Sequence, residues 1–316
     1  MKLLRLAPEN TQLGFMRLRR LSYPLSAALS IISVVLFFTV GMNFGIDFAG
    51  GTQVELRAKA GAADIASLRS KGESLGLGPV EAQRSGAESD VTLRLNVQPG
   101  GEAGQSAAVA KLRDAFGEAY DFRSVEAVGP RVSGELVQSG TLGVVIAILA
   151  VLTYLWFRFE WQFAVGAIIG TMHDLLLTVG FFSVTQLEFN QTSIAAILTI
   201  VGYSLNETVV VLDRIREVMR KYKKLSTAEI VDKSVNAVLP RTIMTATTVF
   251  LALLALFFLG GHVIRSFSAA MIWGIFVATY SSIFICSPML IYLGVRADTF
   301  EKNVEPKAEA GVKVKA

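Results

Sequence analysis

Six stretches of this chain are apolar for long enough to cross a lipid bilayer. A hydrocarbon core of roughly 30 Å needs about 20 predominantly apolar residues in helical conformation. Such runs lie near 21–40, 139–157, 163–184, 192–212, 242–260 and 268–293. Composition points the same way: 52% of the 316 residues are hydrophobic and only 18% are charged, against about 25% in ordinary soluble chains. The first run is followed by Ile46-Asp47-Phe48 and not by a small-residue cleavage site. It therefore reads as a retained span and not as a removed signal. No internal repeat is visible.

Orientation follows from lysine and arginine in the short loops. The segment 1–20 carries Lys2, Arg5, Arg17, Arg19 and Arg20 against Glu9. Arg158 lies between spans two and three, seven basic residues lie in the loop 213–240, and Arg296, Lys302, Lys307, Lys313 and Lys315 lie in the tail 294–316. The other side holds only Arg265 in its short loops. Both termini are thus expected in the cytoplasm and residues 41–138 outside. The net charge of +4 is concentrated beside apolar runs, which marks membrane anchoring and not a nucleic-acid partner.

The outer stretch 41–138 has the periodicities of a small α+β domain. Val54 and Leu56 alternate within Thr52–Ala58, Val80–Arg84 is a second short strand, Val91, Leu93 and Leu95 alternate again, and Phe122–Val128 is a fourth strand. Ile65, Leu68 and Leu75, and then Val109, Leu112 and Phe116, each fall on one helical face. Pro99–Gly104 reads as a loop. The order βαββαβ predicts a ferredoxin-like fold. The loop 213–240 has a helical pattern and is expected on the membrane surface through Ile230, Val235 and Val238.

Charged groups inside a membrane are costly and point to function by default. Glu207 lies in span four about five residues from its inner end, with Ser204 one turn away. Arg241 opens span five, with Thr245 and Thr248 following on the same stripe. A carboxylate facing an arginine could take up and release a proton; the same pair could also be a static tie that fixes helix packing. Asp174, beside His173 in span three, could relay a proton, or could bond a neighbouring hydroxyl such as Thr171 or Thr178. Asp213, Arg214 and Arg216 read as a solvated cap. Spans three, four and five thus carry the polar groups, while one, two and six read as packing and anchoring. In Gly45-Ile-Asp-Phe-Ala-Gly-Gly51, Gly50 and Gly51 allow a tight turn and Asp47 can cap locally. One cysteine, Cys286, and two distant histidines, His173 and His262, supply no disulfide and no metal-ligand spacing. No nucleotide loop and no Ser-His-Asp set is present, so no cofactor is expected.

Four stretches together resemble the smaller-subunit branch of the SecD/SecF family, which is related to the resistance-nodulation-division transporters. They are GIDFAGG at 45–51, VGPRVSGEL at 128–136, VGYSLNETVVVLDRIRE at 201–217 and PRTIMTATT at 240–248. The His173-Asp174 pair also fits. The resemblance implies a bacterial inner-membrane subunit that works with SecD. It would use the proton gradient to promote export of preproteins through the SecYEG channel. It places the family's proton-relevant carboxylate at Glu207 and its partner at Arg241, with Asp174 in the intramembrane pair. Gly45, Asp47, Gly50, Gly51, Tyr203, Asn206, Asp213, Arg214, Thr245 and Thr248 fall on family motif positions. The family's usual residue at the carboxylate position is aspartate, so Glu207 reaches one methylene further. Two other classes remain open on the residues alone: half of a proton-coupled exporter of small molecules or lipids, and a scaffold whose charges only hold helices together. An enzyme is disfavoured by the lack of a catalytic set.

Overall fold

The computed structural model describes residues 11–296, without the side chains of His262 and Val263. Lys2, Arg5, Glu9 and the tail lysines lie outside the described residues.

Six helices are long and apolar enough to span a membrane. They are α1 (Arg19–Thr39), α5 (Pro130–Arg158), α6 (Trp161–Thr185), α7 (Gln191–Lys221), α8 (Thr227–Leu259) and α9 (Gly261–Ser281), which runs through a π turn (Ser282–Cys286) into α10 (Ser287–Tyr292). Between α1 and α5 lie α2 (Ile46–Ala49), β1 (Gly51–Ala58), α3 (Ile65–Ser74), β2 (Val80–Arg84), β3 (Asp90–Leu95), α4 (Gly101–Phe116) and β4 (Tyr120–Val128).

Three helix boundaries depart from the apolar runs, because helices continue where the chain leaves hydrocarbon. α5 begins at Pro130, nine residues before the expected span, with proline in the first turn, where its missing N–H costs nothing. α7 runs on to Lys221, and α8 starts at Thr227 behind a capping box in which Ser226 and Glu229 exchange bonds. The expected surface segment 213–240 is therefore mostly the ends of these two helices. Ile230, Val231 and Val235 do not lie on a lipid surface; they are buried against Ile215, Val218 and Met219 of α7.

The helices are not equivalent. More than two-fifths of the apolar window is buried in α6 (56%), α7 (44%) and the α9–α10 span (61%), against 17% in α1, 6% in α5 and 11% in α8. The sixth span is therefore a central helix and not an anchor, and the fifth is peripheral. Small residues permit the central contacts. A Cβ on Gly180 of α6 would lie 2.1 Å from Ser33 Oγ of α1, and one on Gly274 of α9 would lie 2.4 Å from Ile200 of α7.

The domain inserted between α1 and α5, expected on the outer side, has the expected ferredoxin-like order. Its sheet runs β2-β3-β1-β4, antiparallel throughout. Val54, Leu56, Val91, Leu93 and Leu95 form a buried face against Leu68 of α3 and Leu112 and Phe116 of α4. Ala108, not Val109, is the fully buried residue at that turn of α4. The expected loop 99–104 is shorter than its glycines suggest. Gly100 is the left-handed N-cap, and Gly104 sits in the first turn where any Cβ would strike the Pro99 carbonyl.

Candidate functional site

Asp174 links three helices of the membrane part. It lies near the middle of α6, 1% exposed. Its Oδ2 accepts from Ser204 Oγ of α7 at 2.5 Å and from Ser281 Oγ of α9 at 2.8 Å, and its Oδ1 lies 3.1 Å from His173 Nδ1. One carboxyl thus joins the three central helices. The local hydroxyls do not serve it: Thr171 donates to the Ala167 carbonyl, and Thr178 donates to the backbone carbonyl of Asp174. His173 Nε2 is buried and has no hydrogen-bond partner among the described residues.

Ser281 stands immediately before the π turn, and the turn has an identifiable cause. Pro288 has no N–H, so the Phe284 carbonyl loses its ordinary helical donor. Ser22 Oγ of α1 donates to that carbonyl at 3.0 Å, and Tyr23 Oη donates to the Ile285 carbonyl at 2.7 Å. The irregular backbone that presents Ser281 is therefore satisfied by protein groups, as a membrane interior demands.

Glu207 lies one turn beyond Ser204 on α7 and is also buried. Ser204 bonds Asp174 and not Glu207. Thr242 of α8 donates its hydroxyl to Glu207 Oε1 in a short hydrogen bond. Arg241, the residue before Thr242, makes no ion pair with Glu207 among the described residues. It is exposed on this chain. Tyr203 lies beside Thr245 and Thr279.

Arg241 shares its exposure with Asn206 of α7 and with Thr245 and Thr248 of α8. The two threonines donate to carbonyls of their own helix, at Arg241 and Met244. A polar stripe thus faces outward from the middle of a membrane helix pair, next to Glu207. Hydrocarbon solvates such groups poorly.

The remaining motif residues lie at the two ends of α7. At one end, Asp213 is 2.6 Å from Arg158 and 3.5 Å from Arg216, which also reaches Glu160 at 2.7 Å. Arg158 and Arg216 both approach the ring of buried Phe159. This cluster ties the α5–α6 corner to α7, beyond a solvated cap. Arg214 pairs with Glu217 on its own helix. At the other end, Asp47 Oδ2 accepts from the backbone N–H of Gln191, the first residue of α7, at 2.9 Å. Gly50 and Gly51 have φ of +72° and +121°, and a Cβ on Gly51 would lie 2.3 Å from the Leu95 carbonyl. Gly45 packs against Glu188 in the α6–α7 loop. Among the described residues no group of three His, Cys, Asp or Glu side chains could hold a metal ion.

Ser281, Thr242, Arg94 and Glu188 were not singled out by sequence reasoning. Thr242 opens an apolar run and Ser281 lies inside one, and only the assembled bundle reveals the acids these short hydroxyl residues meet.

Known proteins match this chain over most of its length. Residues 108–296 match the family model described as "Protein export membrane protein SecD/SecF, C-terminal", and residues 35–62 match the "SecD/SecF GG Motif". The chain is 42% identical over 289 residues to the protein translocase subunit SecF of Rickettsia akari, covering 91% of this chain and 94% of that protein. It is 40% identical to the protein translocase subunit SecDF of Brucella abortus, covering 93% of this chain but only 39% of that longer protein. A crystal structure of SecDF from Thermus thermophilus, a translocon-associated membrane protein, superposes with a TM-score of 0.81 at 35% identity, over 92% of this chain and 40% of that one. SecDF in its super-membrane-facing form superposes with a TM-score of 0.64 at 32% identity. The chain belongs to the SecD/SecF family of protein-export membrane proteins.

Proposed function

We propose that this chain is a proton-driven auxiliary subunit of the Sec translocase, acting with SecD at the inner membrane to promote export of preproteins through the SecYEG channel. The observation that carries the reading is a pair of buried carboxyls in α7's neighbourhood, each held by hydroxyls from another helix. Asp174 takes Ser204 and Ser281; Glu207 takes Thr242. Hydroxyls can rotate to accept or donate, so either carboxyl can exist charged or protonated in the same cage. Each change of charge alters what holds α6, α7, α8 and α9 together. One charge crossing 100 mV delivers about 2.3 kcal/mol, comparable to several interhelical hydrogen bonds at about 0.6 kcal/mol each.

His173 Nε2, unpartnered beside Asp174, is a ready acceptor or donor for a water on the path. Arg241, poised near Glu207 without touching it, would stabilise the charged form when the helices close up. Asn206, Arg241, Thr245 and Thr248 form the face that a partner covers. The longer SecDF relative, of which this chain matches 39%, has room for that partner in the same polypeptide. In this arrangement both termini lie in the cytoplasm and residues 41–138 in the periplasm, in accord with the basic loops. The relatives reported are translocase subunits, which gives the small-molecule or lipid exporter no support.

Replacing Glu207 with Gln removes titration while keeping shape. Export by membranes carrying Glu207→Gln with its partner should lose at least five-fold of the gradient-dependent stimulation, with assembly unchanged. Stimulation equal to wild type would sink the proton-coupled reading and leave the scaffold role.

A further inference from the structure

The outer domain is joined to the bundle by more than the chain connections at Val40 and Gly129. Arg94 of β3 points away from the domain core. Its guanidinium lies 2.9 Å from Glu188 Oε1, in the short loop just before α7, and donates to Asn43 Oδ1 at 3.1 Å. Both charged side chains are only 17% exposed. The link that enters β1 is stitched to the same loop. Phe189 N–H donates to the Asn43 carbonyl at 2.7 Å, and Gly45 N–H donates to the Phe189 carbonyl at 2.8 Å. Asp47 then caps the first N–H of α7, where a carboxylate is favoured by the helix dipole. The rings of Phe44, Phe48, Phe182 and Phe189 pack behind this seam.

The seam is attached to one end of the helix that carries the acid contacts. Ser204 is thirteen residues from Gln191, or about 20 Å along a continuous helix. A shift or rotation of α7 that accompanies charging of Asp174 or Glu207 therefore arrives at Glu188 and Asp47 with little loss. Partly buried ion pairs hold direction better than exposed ones, because breaking one strands a charge away from water.

We infer that Arg94, Glu188 and Asp47 are positioning residues that form the joint through which α7 drives the outer domain. The inference rests on the proton-coupled reading above and adds the transmission element to it. Its signature is uncoupling: proton uptake continues while export is no longer helped. Loss of a merely structural contact would reduce both together.

The test uses the full chain with its partner subunit, in proteoliposomes for proton uptake and in inverted vesicles for export. Two variants break the joint in different ways. Glu188→Gln removes the charge. Gly45→Ala keeps every charge, and its backbone at φ −68° accepts alanine, but the new Cβ would lie 2.5 Å from Glu188 Oε1 and push the carboxylate aside. For both, proton uptake should stay within two-fold of wild type while export stimulation falls at least five-fold. Arg94→Glu combined with Glu188→Arg should return stimulation to at least half of wild type. The joint is refuted if Glu188→Gln and Gly45→Ala stimulate export normally, or if uptake and export fall in parallel. Glu207→Gln, run alongside, separates this from the underlying reading. Loss of stimulation in Glu207→Gln with normal stimulation in Glu188→Gln refutes the joint alone, and normal stimulation in Glu207→Gln refutes both.

Discussion

Asp174 and Glu207 are 33 residues apart in the sequence, yet Ser204, which bonds Asp174, lies one turn from Glu207 on α7. The sequence exposes both acids, since charge in an apolar run is conspicuous. It does not expose their partners, because a serine inside a span has the same local signature whether it bonds its own backbone or a carboxyl 107 residues away, as Ser281 does. Whether Glu207 meets Arg241 is open on the sequence; in the fold Glu207 accepts from Thr242, the residue after Arg241, and makes no ion pair with Arg241 among the described residues. At this scale Asp174→Asn is expected to assemble but to lose at least five-fold of export stimulation. Ser281→Ala removes one of three bonds to Asp174. It should cost about 0.6–1.7 kcal/mol, read from thermal unfolding in detergent, and lower stimulation by about two-fold. Outside the membrane, Arg57 donates from Nε and Nη2, one edge of its guanidinium, to the two oxygens of Asp90 at 2.6 and 2.7 Å. That hydrogen bonding holds the Asp90 carboxyl below its usual range. A depressed folded value stabilises above the unfolded value near 4 and is lost as pH falls through the folded one. The outer domain of Asp90→Asn should therefore show a flatter acid limb than wild type, measured by hydrogen exchange at Val54 and Leu56 as pH is lowered.

Elements were readable where period and burial coincide. The strands of the outer domain alternate cleanly because one face packs on α3 and α4, and its βαββαβ order follows from that. The six spans were readable from length alone. Their ranking was not: α8 is the most apolar span yet peripheral, since hydropathy in a bilayer does not distinguish lipid from protein neighbours. The π turn was also hidden, although Pro288 marks where the helical ladder must fail. Its repair by α1 can be tested. Tyr23→Phe leaves the Ile285 carbonyl without its hydroxyl donor and should destabilise the bundle by about 0.6–1.7 kcal/mol. Gly180→Leu is a harsher change, because its Cβ position already meets Ser33 at 2.1 Å. It should force α1 from α6 at a cost of about 1–3 kcal/mol, seen as a lower thermal midpoint of the purified chain.

At the scale of the molecule, central helices α6 and α7 carry the acids, α9 and the more peripheral α8 supply hydroxyls to them, and the inserted domain is fastened to the end of α7. The polar stripe of Asn206, Arg241, Thr245 and Thr248 leaves this chain incomplete in a bilayer. A photo-crosslinker at Asn206 should capture the partner subunit, whereas one at Phe157, 84% exposed on α5, should capture mainly lipid. The central claim is that the buried carboxyls carry protons through this assembly. Proton uptake into proteoliposomes holding the complex, driven by an imposed potential, tests it most directly. Wild type should take up protons well above empty vesicles, and Glu207→Gln and Asp174→Asn should each fall to that background. Uptake by both variants equal to wild type would contradict the account.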